Sequence, residues 1–461
     1  MRIVMLGWEF PPFIAGGLGV ACHGLTRALD RLGHEITFIL PRPVDRSIST
    51  HVRLLSPDPG GVIPSGNPLA GESGSYTIPG FEHTTFHGVP AAFHHPYPGG
   101  GLVGDPGAAP GTLGQVGSAS GAQGPAEQIR WGTAPGSAPG QQVERYDAPK
   151  SDATYGMDLV GDSNRYARLV VALAGHIGAD IVHAHDWLAY PAGIALSSVL
   201  GVPLVVHVHA TEFDRSGECV NQAVYDIERR GMHAASRVIA VSMLTKSICA
   251  HRYGVSPERI DVVYNGIDDD DVVQPTALDS IRSKDKIVLF LGRLTMQKGP
   301  EYFIRAAARV LEKIEDVKFV VAGSGDMARG MIEQAAALGI GHKVLFTGFL
   351  HRRDVERVFR MADCYVMPSV SEPFGLVALE AIQNDVPAII SKQSGASEVL
   401  THVLKVDFWD VDEMANKIVA VLVHPPLRQT LSHHGPFELR RLTWEGAARR
   451  CEQTYAAASG R

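Results

Sequence analysis

Short apolar runs, each followed by a turn and a helix-sized amphipathic stretch, recur along this chain in two series, and no other feature restricts its fold as much. The first series opens with Arg2-Ile3-Val4-Met5-Leu6-Gly7, passes a loop containing Gly16-Gly17, and continues as an amphipathic pattern over 20–32 closed by Gly33. His34-Glu35-Ile36-Thr37-Phe38-Ile39-Leu40 is the next strand. This alternation predicts a parallel sheet with helices on its faces, and right-handed crossovers fix its local topology. Further strands are expected at 180–185, 202–209, 237–241 and 260–264, with helices near 163–177 and 221–234 and from Ser242. After a polar stretch ending near Lys284, Ile287-Val288-Leu289-Phe290-Leu291-Gly292 begins a second series, with strands at 317–322, 344–347, 364–367 and 387–390. The fold class expected is α/β, with two doubly wound Rossmann-like domains facing a central cleft.

A chain of 461 residues has room for two such cores. The pattern divides it into an N-terminal domain over 1–275, a C-terminal domain over 276–440 and a closing segment over 441–461, whose helix should pack on one of the two. Between about 56 and 150 the alternation fails. Residues 99–142 are dominated by Gly, Pro, Ala and Ser, so an inserted disordered segment is expected at about 97–145. Residues 80–95, with alternating aromatics and histidines, read as a hairpin beside it.

The charge balance, 42 Lys and Arg against 49 Asp and Glu, is net −7 and gives no footprint for nucleic acid. No run approaches the roughly 18 to 20 apolar residues needed to cross a bilayer. The expectation is therefore a soluble protein without a transmembrane segment, with peripheral membrane contact left open. Five cysteines, Cys22, Cys219, Cys249, Cys364 and Cys451, lack metal spacing and are odd in number, which reads as reduced thiols in a cytoplasm. No pattern specifies an oligomeric state.

The chemistry is concentrated near residue 372. In Ser371-Glu372-Pro373-Phe374-Gly375-Leu376-Val377-Ala378-Leu379-Glu380, Pro373 and Gly375 end a turn, and a helix begins whose first unpaired amides belong near Gly375 and Leu376. Such a helix end favours an anion, and a diphosphate there would be flanked by Glu372 and Glu380, which would then bind hydroxyls. Arg293 follows a strand and Lys298-Gly299 precedes the next helix. A guanidinium and an ammonium at a strand end suit a diphosphate whose charge rises as its bond to sugar breaks. Taken alone, loop cations are usually solvated.

Gly16 and Gly17 can approach a phosphate or sugar closely, although their spacing is not that of a dinucleotide fingerprint. Gly323-Ser324-Gly325 is either a wall for a stacked base or an ordinary turn. His183, His185, His207 and His209 alternate at two strand ends, which puts each pair on one sheet face. They read as strand histidines with sugar contacts in preference to a metal site, since no carboxylate or cysteine stands at zinc-like spacing. His209 and Asp186 are the best placed to reach a cleft. The acidic run at 268–271 reads as a solvated turn in preference to a magnesium site.

These residues occur in an order that resembles retaining glycosyltransferases of the GT-B fold: Gly-Gly-Leu near the start, His-Ala-His-Asp-Trp at 183–187, Asn-Gly-Ile-Asp at 265–268, the Arg293/Lys298 pair and the Glu372/Glu380 run. The likeness extends over nearly the whole chain except the insertion and is similar to glycosyltransferase family 4, particularly the branch like glycogen and starch synthases. It implies an acceptor-side first domain and a nucleotide-sugar-binding second domain. Catalytic roles are implied for His209, Arg293, Lys298 and Glu372, and donor contacts for Gly16, Gly17, Arg293, Lys298, Gly323, Gly375, Leu376 and Glu380. Within these, Arg293 and Lys298 would neutralise the diphosphate, Glu380 would hold ribose hydroxyls and Glu372 would contact the donor glucose. Asp186 and His209 would lie near the transferred sugar.

No bound cofactor and no divalent metal are implied; the co-substrate would be a nucleotide diphosphate sugar, ADP- or UDP-glucose. One departure stands out, because Ile14-Ala15-Gly16-Gly17-Leu18 replaces the Lys-Thr-Gly-Gly-Leu usual in glucan synthases. The foremost expectation is retaining hexosyl transfer to a glycan acceptor, α-1,4-glucan first, by front-face displacement in which the leaving phosphate deprotonates the acceptor hydroxyl. The alternatives are transfer to a lipid or small-molecule acceptor, a sugar-nucleotide epimerase of the same fold, a glucan phosphorylase, and a glycan-binding protein without catalysis.

Overall fold

The structure, a computed structural model, describes residues 1–10, 16–40, 75–76, 82–88, 159–267 and 285–460. The insertion expected at 97–145, the acidic run at 268–271 and the Ile14-Ala15 departure lie outside the described residues.

The first lobe contains β1 (Arg2–Leu6), α1 (Gly17–Arg31), β2 (Glu35–Leu40), β3 (Ser75–Tyr76), β4 (Thr84–Gly88), α2 (Leu159–Ala174), β5 (Ile181–His185), α3 (Asp186–Leu200), β6 (Leu204–Val208), α4 (Glu212–Ser216), α5 (Gln222–Ala234), β7 (Arg237–Ala240), α6 (Met243–Tyr253) and β8 (Ile260–Val262). The second contains β9 (Lys286–Leu291), α7 (Pro300–Leu311), β10 (Val317–Ala322), α8 (Ala328–Ala337), β11 (Val344–Gly348), α9 (Arg352–Met361), β12 (Cys364–Met367), α10 (Leu376–Gln383), β13 (Ala388–Ser391), α11 (Ala396–Val399), β14 (Leu404–Val406), α12 (Val411–Val423) and α13 (Pro425–Leu439), and α14 (Trp444–Ala458) ends the chain.

The first sheet has the order β3-β4-β2-β1-β5-β6-β7-β8, and the second β11-β10-β9-β12-β13-β14. Every pairing is parallel except β3 with β4. In each sheet the order reverses beside the opening strand, between β1 and β5 in one and between β9 and β12 in the other. Such reversals leave a crevice at the carboxyl ends of the strands, where ligands of open α/β sheets bind.

Strand parity explains why both sheets are buried on both faces. Ile3 and Met5 of β1 point into one core with α1, whereas Val4 and Leu6 point into the opposite core with α2 and α3. In β9, Val288 and Phe290 face one core and Leu289 the other. Each such side chain stabilises the fold by about 1.5–3 kcal/mol when fully buried. This is why the strands read as continuous apolar runs.

Two local expectations are corrected. The hairpin read at 80–95 is in fact β4 paired antiparallel with β3, whose residues precede position 80, and parallel with β2. β14, only three residues long and containing Lys405, extends the second sheet beyond the strands expected from the pattern. The terminal helix α14 packs on the first lobe. Trp444, Ala447, Ala448, Cys451 and Tyr455 recur at helical spacing and join the core under α1, and a bridge between Ile267 and Thr443 leads the chain back there.

Candidate active site

β9 ends at Leu291, and the loop after it is laced to the loop after β10: Gly292 N–H donates to Ala322 O (3.0 Å) and Leu294 N–H to Ser324 O (2.9 Å). Gly323 is required here. Its φ is +136°, and a Cβ on it would lie 1.8 Å from Gly292 O. Arg293 is half-buried in this loop, and a single 3₁₀ turn, Met296–Lys298, then brings Lys298 round to the end of β12.

There Lys298 Nζ donates to both oxygens of Glu372, at 2.9 and 2.7 Å, and Ser369 Oγ donates to Glu372 Oε2 at 2.9 Å. Glu372 is buried and its main chain is pinned as well, its N–H donating to Gln393 O and its C=O accepting from Gly395 N–H. Lys298 keeps about a quarter of its side chain exposed, so its charge faces solvent on one side and a carboxylate on the other. Three residues beyond Glu372, Gly375 opens α10 with φ +107°, and no side chain caps that helix. Leu376 N-terminates α10 and packs partly against cores of both lobes, while Glu380 lies half-buried one turn on. Both Glu372 and Glu380 act on the buried Tyr365, whose phenol is raised well above its ordinary value by burial first and then by these two acids.

On the opposite lobe β5 ends at His185 and α3 begins at Asp186, a left-handed residue (φ 59°) in an otherwise sparsely allowed region. The carboxylate of Asp186 accepts from His209 N–H (2.7 Å) and Ala210 N–H (3.4 Å), which ties the end of β5 to the end of β6. Burial pushes the Asp186 carboxyl up to about 7, against the lowering influence of Arg215 and of the two amides. His209 is half-buried, and its Nε2 lies 3.0 Å from His185 Nδ1. Burial, and then His185, hold His209 well below the ordinary histidine range, so its ring is neutral near pH 7.

Four contacts join the two strand-end regions. Ser371 Oγ donates to Asp214 Oδ1 (2.5 Å) in α4, the short helix that follows His209, and Asp214 is itself held by a reciprocal capping box with Thr211. Glu398 accepts from the first amides of α6, Met243 N–H (2.8 Å) and Leu244 N–H (2.7 Å), and from Tyr264 OH (3.0 Å). His209 and Glu372 are thus on loops that touch through their neighbours.

The structure therefore brings Lys298 and Glu372 together, places Arg293 and Gly323 on adjoining loops of the second lobe and Gly375, Leu376 and Glu380 at the start and in the first turns of α10, and joins Asp186 to His209 in the first lobe. Gly16 and Gly17 stand exposed at the start of α1; Gly16 is extended (φ 179°), and a Cβ on either would meet none of the described residues within 4 Å. His183, His185 and His207 are 0, 0 and 2% exposed, which leaves His209 as the member of the four that reaches solvent. Ser369, Ser371, Asp214 and Glu398 were not anticipated. Ser371 stands beside Glu372 in sequence, but its partner is 157 residues away. A separate concavity of about 650 Å³, lined by Arg360, Asp363, Asn384, Asp385, Arg428 and Arg440 among others, opens elsewhere on the second lobe and contains none of the expected site residues.

Two Rossmann-like lobes, each with a parallel sheet that reverses order beside its opening strand, have the architecture of the GT-B class. Three family models match successive parts of the chain and make it a glycosyltransferase: starch synthase catalytic domain over 2–90, glycosyltransferase family 4 over 131–271 and glycosyl transferases group 1 over 279–436. It is similar to an uncharacterized glycosyltransferase of Methanocaldococcus jannaschii, with 26% identity over 99% of this chain and 98% of that one. It is also similar to a glycogen synthase of Mycobacterium tuberculosis, with 27% identity over 99% and 95%. Among solved structures, the HepE protein of Anabaena in complex with UDP and glucose matches with a TM-score of 0.65 at 18% identity, covering 98% of this chain and 99% of that one. No helix among the described residues is long and apolar enough to cross a membrane.

Proposed function

We propose that this glycosyltransferase moves glucose, with retention, from a nucleoside diphosphate glucose to the end of an α-1,4-glucan. The observation that carries the reading is the Lys298–Glu372–Ser369 cluster at the switch point of the second sheet, beside the uncapped start of α10. On this reading residues 276–440 hold the donor, residues 1–275 present the acceptor, and the segment 441–461 ties the chain back to the first lobe. The glycogen synthase relative supports the glucan acceptor, and the UDP and glucose held by HepE support the donor class. ADP-glucose and UDP-glucose both fit. The five cysteines form no disulfide, which fits a reducing cytoplasm.

The chemistry follows from charge. As the bond from the glucose anomeric carbon to the diphosphate oxygen breaks, negative charge gathers on the phosphate and positive charge on the sugar. Lys298, Arg293 and the amides opening α10 stabilise the first, and exchange of Lys298 from Glu372 to phosphate frees that carboxylate for sugar hydroxyls. Glu380 takes the ribose hydroxyls, while Gly323 and the exposed Gly16 and Gly17 leave room for close approach. The acceptor oxygen bonds to the same face of the anomeric carbon and gives its proton to the departing phosphate. His209, neutral, donates or accepts a hydrogen bond at the sugar, and Asp186 acts as a positioning residue that fixes the His209 main chain.

The test is to incubate pure protein with ADP-, UDP- and GDP-glucose, with and without maltooligosaccharides. Nucleoside diphosphate release that requires the oligosaccharide, with new α-linkages seen by NMR, is expected. Donor converted to another sugar nucleotide without acceptor would make the protein an epimerase, and binding of glucan with no turnover of any donor would make it a binding protein.

A further inference from the structure

At the first-lobe strand ends four histidine rings lie against one another, three of them buried and His209 half-buried. His183 and His185 alternate on β5 and His207 and His209 on β6; because His185 and His207 are register partners, all four point to the α1 and α14 side of the sheet. Ring centroids are 4.3 Å apart for His183 and His185, 5.4 Å for His183 and His207, and 5.3 Å for His185 and His207. Three of these residues carry buried ring nitrogens that no donor or acceptor reaches among the described residues: His183 Nε2, His185 Nε2, and both nitrogens of His207. Leaving such groups unsatisfied in a core costs about 1–3 kcal/mol each.

We propose that His183, His185 and His207 bind a first-row divalent transition metal ion of the zinc class inside the first lobe. Each residue offers a nitrogen, and these nitrogens all lie within 4.8 Å of one another. A tetrahedral ion with bonds of about 2.0–2.1 Å needs them about 3.4 Å apart. The nitrogens then draw in by about 1.4 Å at most. The outer partners are already present: His183 Nδ1 is 2.7 Å from Tyr455 OH and His185 Nδ1 is 3.0 Å from His209 Nε2. Partners on the far ring nitrogen fix tautomer and orientation in metal-bound histidines and leave Nε2 of both rings for the ion.

The ion has a further consequence: with Nε2 of His185 on the metal, its Nδ1–H donates to His209 Nε2. The proton of neutral His209 is then on Nδ1.

Protein made without a histidine tag, stripped with chelator and titrated with zinc and cobalt(II), decides the matter. One equivalent should bind, cobalt(II) should show visible d–d bands, and Tm should rise by roughly 3 °C or more at saturating ion. His183→Leu and His207→Leu should each abolish the bands, whereas His402→Ala with His434→Ala, a stacked pair elsewhere, should leave them. Stripped wild type that takes up no ion and shows no Tm shift would overturn the site, whatever the variants do, and would mean that only water satisfies these nitrogens. Bands that survive His183→Leu with His207→Leu, or vanish with the other pair, would overturn it equally.

Discussion

At equivalent points of their sheets the two lobes treat ionisable groups in opposite ways. In the second lobe Lys298 and Glu372 are a charged pair whose ammonium stays partly in water, so an incoming diphosphate can compete for it. In the first, Asp186, His183, His185, His207 and His209 are held toward their neutral forms by burial. One arrangement suits the exchange of a charged ligand, the other a fixed frame for one ring. The contrast teaches that a group's solvent contact, more than its residue type, decides whether it binds, transfers or positions.

The sharpest way to break this contrast is Lys298→Ala. If the amine stabilises the departing diphosphate, kcat/KM should fall by about two orders of magnitude or more, and Tm should fall as well, because the buried Glu372 carboxylate loses its cation. Wild-type turnover would remove Lys298 from the mechanism. A smaller effect is expected from Asp186→Asn, read as stability against pH. The raised carboxyl of Asp186 contributes fully below the unfolded value near 4, and this contribution is lost as pH rises through about 7. The Asn variant should therefore gain on wild type by about 2–3 kcal/mol between pH 5 and pH 8 in denaturant titrations. His185, lowered to about 3, acts in the other direction: its contribution is present above 6.5 and is lost as pH falls toward 3, in both proteins alike. Parallel pH curves for the two would show that Asp186 is not held neutral.

The two regions also differed in how far the amino-acid sequence revealed them. Strands such as 317–322 and 364–367 and the terminal helix at 444–458 could be read because apolar spacing and local caps specify them within a dozen residues. The second-lobe cradle was legible for the same reason, since Lys298, Glu372 and Gly375 each stand a few residues from a strand or helix end. β14 was not, being short and carrying a lysine. The histidine stack was half legible: alternation gives the face within one strand, but only the register of His185 with His207 puts both pairs on the same face. Nor does any local signal join Asp186 to the His209 amide, or Tyr455 to His183 across 272 positions. Such contacts belong to the packing of layers, which sequence periodicity does not encode.

The central claim is that the second lobe clamps a nucleoside diphosphate through Lys298, and calorimetric titration of UDP and ADP into wild type and Lys298→Ala tests it most directly. One of these ligands should saturate wild type at one per chain and bind the variant at least about tenfold more weakly. Equal affinity for both proteins, or no binding of either nucleotide to wild type, would contradict the account.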